Sequence, residues 1–187
     1  MRHVISALVT NEPGVLANVA GMFAARGFNI DSLVVGRTEN PELSRMTIVV
    51  SGDENTLDQV RKQLAKLVPV VGVRDFKSTA YIERDLALIS VSVGPEKRGE
   101  VIEVVQLFRG KVVDVGEQSV MVELAGTEPK LEAFVELMKP YGITELARTG
   151  VIAMARGMQI SRGPAGQPGK RRTRSLDAPA AAALPPS

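Results

Sequence analysis

The stretch NEPGVLANVAGMFAARG, residues 11–27, holds a break, a helical stripe and a stop signal in close succession. Before it runs HVISALVT, an apolar alternating segment that reads as a strand ending at Thr10. Asn, Pro and Gly interrupt that alternation. Val15, Leu16, Val19, Met22 and Phe23 then recur at the spacing of one helical face, and Gly27 suits the position just past a helix end. A strand turning sharply into an amphipathic helix opens a unit in which helices cover one face of a sheet.

Working outward, FNIDSLVVG (28–36) reads as the second strand, MTIVVSG (46–52) as the third and VVGVRDF (70–76) as the fourth. Asp53 suits an N-cap, and Leu57, Val60, Leu64 and Leu67 line the helix after it. The order is βαββαβ. The second half repeats it. DLALISVSV is a strand, and Val101, Val104, Val105 and Phe108 mark a helix. KVVDVG and SVMVELAG form a hairpin around Glu117 and Gln118, and Leu131, Phe134, Val135 and Met138 mark the fourth helix. ITELART with VIAMA supplies the last strand region. The expected fold class is α+β, two tandem ferredoxin-like βαββαβ domains over 1–79 and 80–157. Units this small are marginal alone, so packing between halves or between chains is expected.

Composition narrows the chemistry. Hydrophobic residues make up 44% and charged residues 24% of the 187, an ordinary globular balance. No apolar run is long enough to span a membrane and no signal-peptide pattern opens the chain, which makes the cytoplasm the expected address. With no Cys, disulfides and thiolate metal sites are excluded. The single His, His3, is expected to face solvent on the first strand. From Met158 onward the charged residues are Arg162, Lys170, Arg171, Arg172, Arg174 and Asp177, net +4; with +2 for the whole chain, the remainder is net −2. The Gly-, Pro- and Ala-rich stretch 158–187 is expected to be a disordered basic tail.

The junction itself has two readings. Pro13 suits a first helical turn, where its missing N–H costs nothing. Gly14 lets backbone or a bound molecule approach without a Cβ in the way. Free N–H groups at a helix start, with the helix dipole, suit a carboxylate, and Asn11 adds a side chain that both donates and accepts. A small amino acid fits that description. So does a well-made turn with a capping Asn and no ligand at all.

A resemblance bears on the choice. The segments NEPGVLANVAGMFAARGFNIDSL, LSRMTIVVSGD, KLVPVVGVRDF, FRGKVVDV and ARTGVIAMARG, in that order from Met1 to Gly157, resemble the small, regulatory subunit of acetolactate synthase (acetohydroxyacid synthase). The first half resembles its ACT domain, an amino-acid-sensing version of the ferredoxin-like fold. The resemblance implies a homodimer formed through ACT domains and a partner, the large catalytic subunit. That subunit holds thiamine diphosphate, Mg²⁺ and FAD, so no cofactor, catalytic residue or metal ligand is expected in this chain. It implies activation of the large subunit and feedback inhibition, usually by valine, in branched-chain amino acid biosynthesis. The effector contacts it implies fall on Asn11, Gly14, Val15 and Leu16, and on Asn29 and Ile30 at the start of the second strand.

Rival functions leave weaker traces. No close carboxylate pair, nucleophile–base pair or phosphate loop stands out, and Glu103 and Glu136 lie between core positions of their helices. RNA-recognition modules of this topology need aromatic residues on the central strands, whereas HVISALV and MTIVVSG contain none and the body is net acidic. Neither nucleic acid nor membrane is an expected partner. An ACT-type amino-acid sensor acting on another biosynthetic enzyme is the alternative.

Overall fold

Alternation along β1 (Arg2–Thr10) and β3 (Leu43–Ser51) sets the first core. Their antiparallel register pairs Ile5 with Ile48 and Ala7 with Met46, so every second side chain falls on one face. Onto that face pack α1 (Val15–Ala24), through Val15, Val19, Met22 and Phe23, and α2 (Glu54–Leu64), through Leu57, Val60 and Leu64. β2 (Ser32–Arg37) and β4 (Val70–Asp75) complete a sheet of order β2-β3-β1-β4. Asp53 caps α2 as expected, its Oδ1 accepting the Thr56 N–H at 2.7 Å. The computed structural model describes residues 1–157. The tail expected to be disordered, 158–187, lies outside the described residues.

The second unit repeats the plan with β5 (Tyr81–Ser92), α3 (Arg98–Leu107), β6 (Lys111–Val115), β7 (Ser119–Gly126), α4 (Glu128–Met138) and β8 (Ile143–Arg148). Its sheet runs β6-β7-β5-β8. Ala87, Ile89 and Val91 meet Val120, Val122 and Leu124 beneath Val101, Val105, Leu131, Phe134 and Met138. Both units are ferredoxin-like, and the fold is α+β.

Three expectations need correction. The second strand begins at Ser32, not Phe28. Phe28 donates its N–H to the Phe23 carbonyl at 3.1 Å and sets its ring edge-on to Phe23, so residues 28–31 fold back on the helix end. His3 does not face solvent. It shares the helix-facing side of β1 with Ile5, is buried, and places Nε2 3.2 Å from the Gly52 carbonyl. Finally, the single last strand region expected from ITELART with VIAMA is two strands, β8 and β9 (Ile152–Ala155), and only β8 completes the second sheet's β6-β7-β5-β8 order. β9 pairs with the first half of β5, from Tyr81 opposite Ala155 to Arg84 opposite Ile152.

That two-stranded ribbon explains why β1 is apolar on both sides. It lies over the helix-free face of the first sheet, where Val151 and Ala153 pack with Val4, Val49 and Phe76, and Tyr81 stacks at 4.8 Å on Phe76. Arg2 adds ion pairs to Glu83 (3.1 Å) and Glu128 (2.5 Å). All three groups are partly exposed, so the pairs orient the units more than they stabilise them.

Candidate functional site

The NEPG turn is shaped by backbone. The Asn11 N–H donates to the Glu42 carbonyl at 2.8 Å. Its side chain donates through Nδ2 to the Pro41 carbonyl (3.0 Å) and accepts from Ser44 Oγ (3.2 Å). Asn11 therefore ties the turn to the β2–β3 connection and is not the helix cap. The N-cap is Gly14, with φ 83° and ψ −11°. That left-handed conformation is why glycine stands there. Pro13 precedes the cap instead of occupying the first helical turn.

The start of α1 is open. A Cβ built on Gly14 would meet nothing within 4 Å. No side chain caps the helix and no acidic residue lies in its first turn, whereas α2, α3 and α4 carry Glu54, Glu100 and Glu128 there. The positive end of the α1 dipole is thus left to whatever anion approaches. Beside it, Leu16 is 48% exposed, an available apolar surface. Val15 is different: its side chain is buried in the first core, so only its backbone can face a ligand.

Asn29 and Ile30 lie elsewhere. Asn29 Nδ2 donates to Asp31 Oδ1 at 2.9 Å, Ser51 Oγ donates to Asp31 Oδ2 at 2.7 Å, and the Asp31 N–H donates to the Val49 carbonyl. Ile30 is half-buried against the first core. The register places Thr10 opposite Leu43 and Ser32 opposite Val49. Leu43 to Val49 along β3 is about 20 Å at ~3.3 Å per residue. Within one chain, residues 11–16 and 29–30 therefore sit at opposite ends of the sheet. One amino acid cannot touch both. β2, between them, is a sheet edge, with Val35 44% exposed.

A second polar constellation went unread in the sequence. Asp85, 2% exposed, sits on β5 where the strand passes from the ribbon into the second sheet. Its Oδ2 accepts from Arg148 Nε (2.8 Å) and Nη2 (2.5 Å); its Oδ1 accepts from Thr149 Oγ1 (3.2 Å) and the Gly150 N–H (3.1 Å). Burial works to lower the Arg148 pKa, but the bonds to Asp85 and Glu132 outweigh it and the net shift is upward. The corner so held presses on β2. The Val151 N–H donates to Ser32 Oγ at 3.2 Å, and a Cβ on Gly150 (φ 84°) would lie 2.7 Å from that oxygen and 2.9 Å from Val34 Cγ2. The one available sequence signal was the Gly in ARTGV, which fits a close approach but names no partner.

Among the described residues no cluster of three or more His, Cys, Asp or Glu is placed to hold a metal ion, and no helix is long and apolar enough to cross a membrane.

Comparison with known proteins agrees with this anatomy. Residues 5–72 match the AHAS small subunit-like ACT domain and residues 84–157 the small subunit of acetolactate synthase. The chain is 54% identical over 157 residues to the "Probable acetolactate synthase small subunit" of Archaeoglobus fulgidus, covering 84% of this chain and 98% of that protein. It is 48% identical over 155 residues to the acetolactate synthase small subunit of Mycolicibacterium smegmatis, covering 83% and 91%. The crystal structure of the acetolactate synthase small subunit from Thermotoga maritima superposes with a TM-score of 0.77 at 43% identity, covering 84% of this chain and 98% of that one. Two ferredoxin-like units in tandem, the first matching the ACT domain and the second the small subunit of acetolactate synthase, place the chain in the acetolactate synthase small-subunit family of branched-chain amino acid biosynthesis.

Proposed function

We propose that this chain activates the large catalytic subunit of acetolactate synthase and inhibits it when valine binds across a pair of ACT domains. The observation that carries the reading is the separation of Asn11–Leu16 from Asn29–Ile30 in one chain, with the exposed β2 edge between them. Antiparallel pairing of β2 with β2 of a second copy covers both edges in one two-fold contact. It also brings the second chain's Asn29 and Ile30 toward the turn after β2. That turn adjoins the NEPG loop, since Thr38 and Asn11 donate to the neighbouring carbonyls of Leu43 and Glu42.

The chemistry of the joint site follows. The valine carboxylate takes the uncapped N–H groups of α1 and the end of its dipole. The ammonium group takes the amide oxygen of the second chain's Asn29, and the isopropyl group lies between Leu16 and the second chain's Ile30. One methylene changes affinity by only about 1–3 kcal/mol in an apolar pocket, so the preference for valine over leucine or isoleucine rests on the family. In this reading the reaction and its thiamine diphosphate, Mg²⁺ and FAD stay with the large subunit, in the cytoplasm. Residues 1–79 sense and dimerise, and residues 80–157 form the other working unit.

The test is a purified mixed dimer, one chain carrying Gly14→Asp and the other Asn29→Ala. A shared site concentrates both lesions in one pocket, so calorimetry should find half the wild-type number of high-affinity valine sites. A within-chain site predicts none, and that result would overturn the reading.

A further inference from the structure

The effector residues and the second unit meet at one place. Asn29 is bonded to Asp31, and Asp31 is tied by Ser51 and the Val49 carbonyl. The next residue, Ser32, opens β2 and accepts the Val151 N–H on the other side of the sheet. Val151 is packed on Val49, the residue paired with Ser32. Behind it, Thr149 and Gly150 are clamped to the buried Asp85, and Thr149 exchanges hydrogen bonds with the Leu86 backbone. A continuous set of contacts thus runs from the proposed ligand to the first residues of the second sheet.

We infer that the Ser32–Val151 contact, backed by the Asp85-clamped corner 148–151, is the coupling element that carries effector occupancy at Asn29 and Ile30 to the C-terminal unit. This rests on the functional reading above and adds the route by which it operates. The argument is geometric. Gly150 leaves no room for a side chain between the corner and β2, since a Cβ there would fall 2.7 Å from Ser32 Oγ and 2.9 Å from Val34 Cγ2, so the corner lies directly against the start of the strand. Asp85 allows the corner little independent movement, because its four bonds fix Arg148, Thr149 and Gly150 together. A shift at the start of β2 must therefore be absorbed at the Ser32–Val151 bond or passed on to β5. Removing the contact tests the coupling directly.

The experiment uses full-length chain reconstituted with its large subunit, and Ser32→Ala, which deletes the acceptor and adds no bulk. Coupling between binding events is reciprocal: if valine alters the affinity for the large subunit, the large subunit alters valine affinity by the same factor. Valine affinity is therefore measured by calorimetry with and without the large subunit, alongside inhibition. Ser32→Ala should keep activation and keep the affinity of the isolated chain within about twofold. The affinity shift caused by the large subunit should shrink about three- to tenfold, the worth of one neutral hydrogen bond. Gly150→Ala, strained at φ 84° and with a methyl overlapping Ser32 Oγ and Val34 Cγ2, should abolish the shift. An unchanged shift and unchanged inhibition in Ser32→Ala, with wild type responding normally, overturns this inference alone. A wild type that binds no branched-chain amino acid overturns the functional reading and this inference with it.

Discussion

Gly14→Asp places a carboxylate at the mouth of the proposed site, and Gly14→Asn places a neutral group of the same shape there. The structure separates two effects. Nothing lies within 4 Å of a Cβ at this position, so both side chains start from open space. Each must adopt φ 83°, at a cost of about 1–2 kcal/mol, which Asn and Asp tolerate better than other residues. Only Asp adds charge. A ligand carboxylate on the first-turn N–H groups lies about 4 Å away, and two like charges at that distance repel by about 4 kcal/mol at an effective dielectric near 20. A micromolar ligand binds with about 8 kcal/mol in all. The backbone strain is present with and without ligand and falls on stability, so Asn should keep valine affinity within about tenfold of wild type, and Asp should weaken it by a further factor of about a thousand. Activation of the large subunit should survive in both. The assay is calorimetric titration with valine, paired with inhibition of the reconstituted holoenzyme. If Asn and Asp weaken binding equally, shape and not charge governs the site; if Asp binds like wild type, no carboxylate sits there.

Further outcomes follow from the same structure. Wild type at tens of micromolar should scatter light as a dimer, and Val35→Lys on the β2 edge should shift it toward monomer; a wild-type monomer would refute the β2 pairing. Asp85→Ala removes the buried partner of Arg148 and should cost about 2–3 kcal/mol in urea unfolding, below the usual range for a fully buried pair because Arg148 is partly exposed. The Thr56 N–H holds the Asp53 carboxyl below its ordinary pKa. Its contribution is present above the ordinary carboxylate pKa and fades as pH falls through the lowered one, so Asp53→Asn should flatten the acid limb of the stability profile. Truncation after Gly157 should leave activation and inhibition unchanged; loss of activation would assign a docking role to the tail.

What could be read from the sequence was local. Asp53 with Leu57, Val60 and Leu64 specifies its helix through a cap and a periodicity that both lie within a few turns. The element order was legible because the second half repeats one βαββαβ pattern. The failures have distant causes. His3 was misplaced because its neighbours Val4 and Ile5 are both apolar, and only the ribbon contributed by residues 81–84 and 151–155 explains a strand buried on two faces. Phe28 and Ile30 look like strand residues, yet packing against Phe23 and the first core turns them away from the sheet. At the site, Gly14 was legible as a glycine the backbone requires, whereas the core position of Val15 was not, because Val15 and Leu16 are equally apolar in sequence. Asp85 reads as a surface charge until residues more than sixty positions away close around it.

Because β5 belongs first to the ribbon and then to the second sheet, the stretch between Asp75 and Tyr81 is a poor place to cut this protein. A chimaera that grafts the first unit onto another regulator by joining at residue 79 would leave behind Tyr81, Val151 and Ala153. Val4, Val49 and Phe76 would then meet water, an apolar patch on a sheet face that invites aggregation. Arg2 would lose both of its carboxylates in the same stroke. The transplantable module is discontinuous, residues 1–84 together with 149–156, and a working hybrid sensor has to carry both pieces.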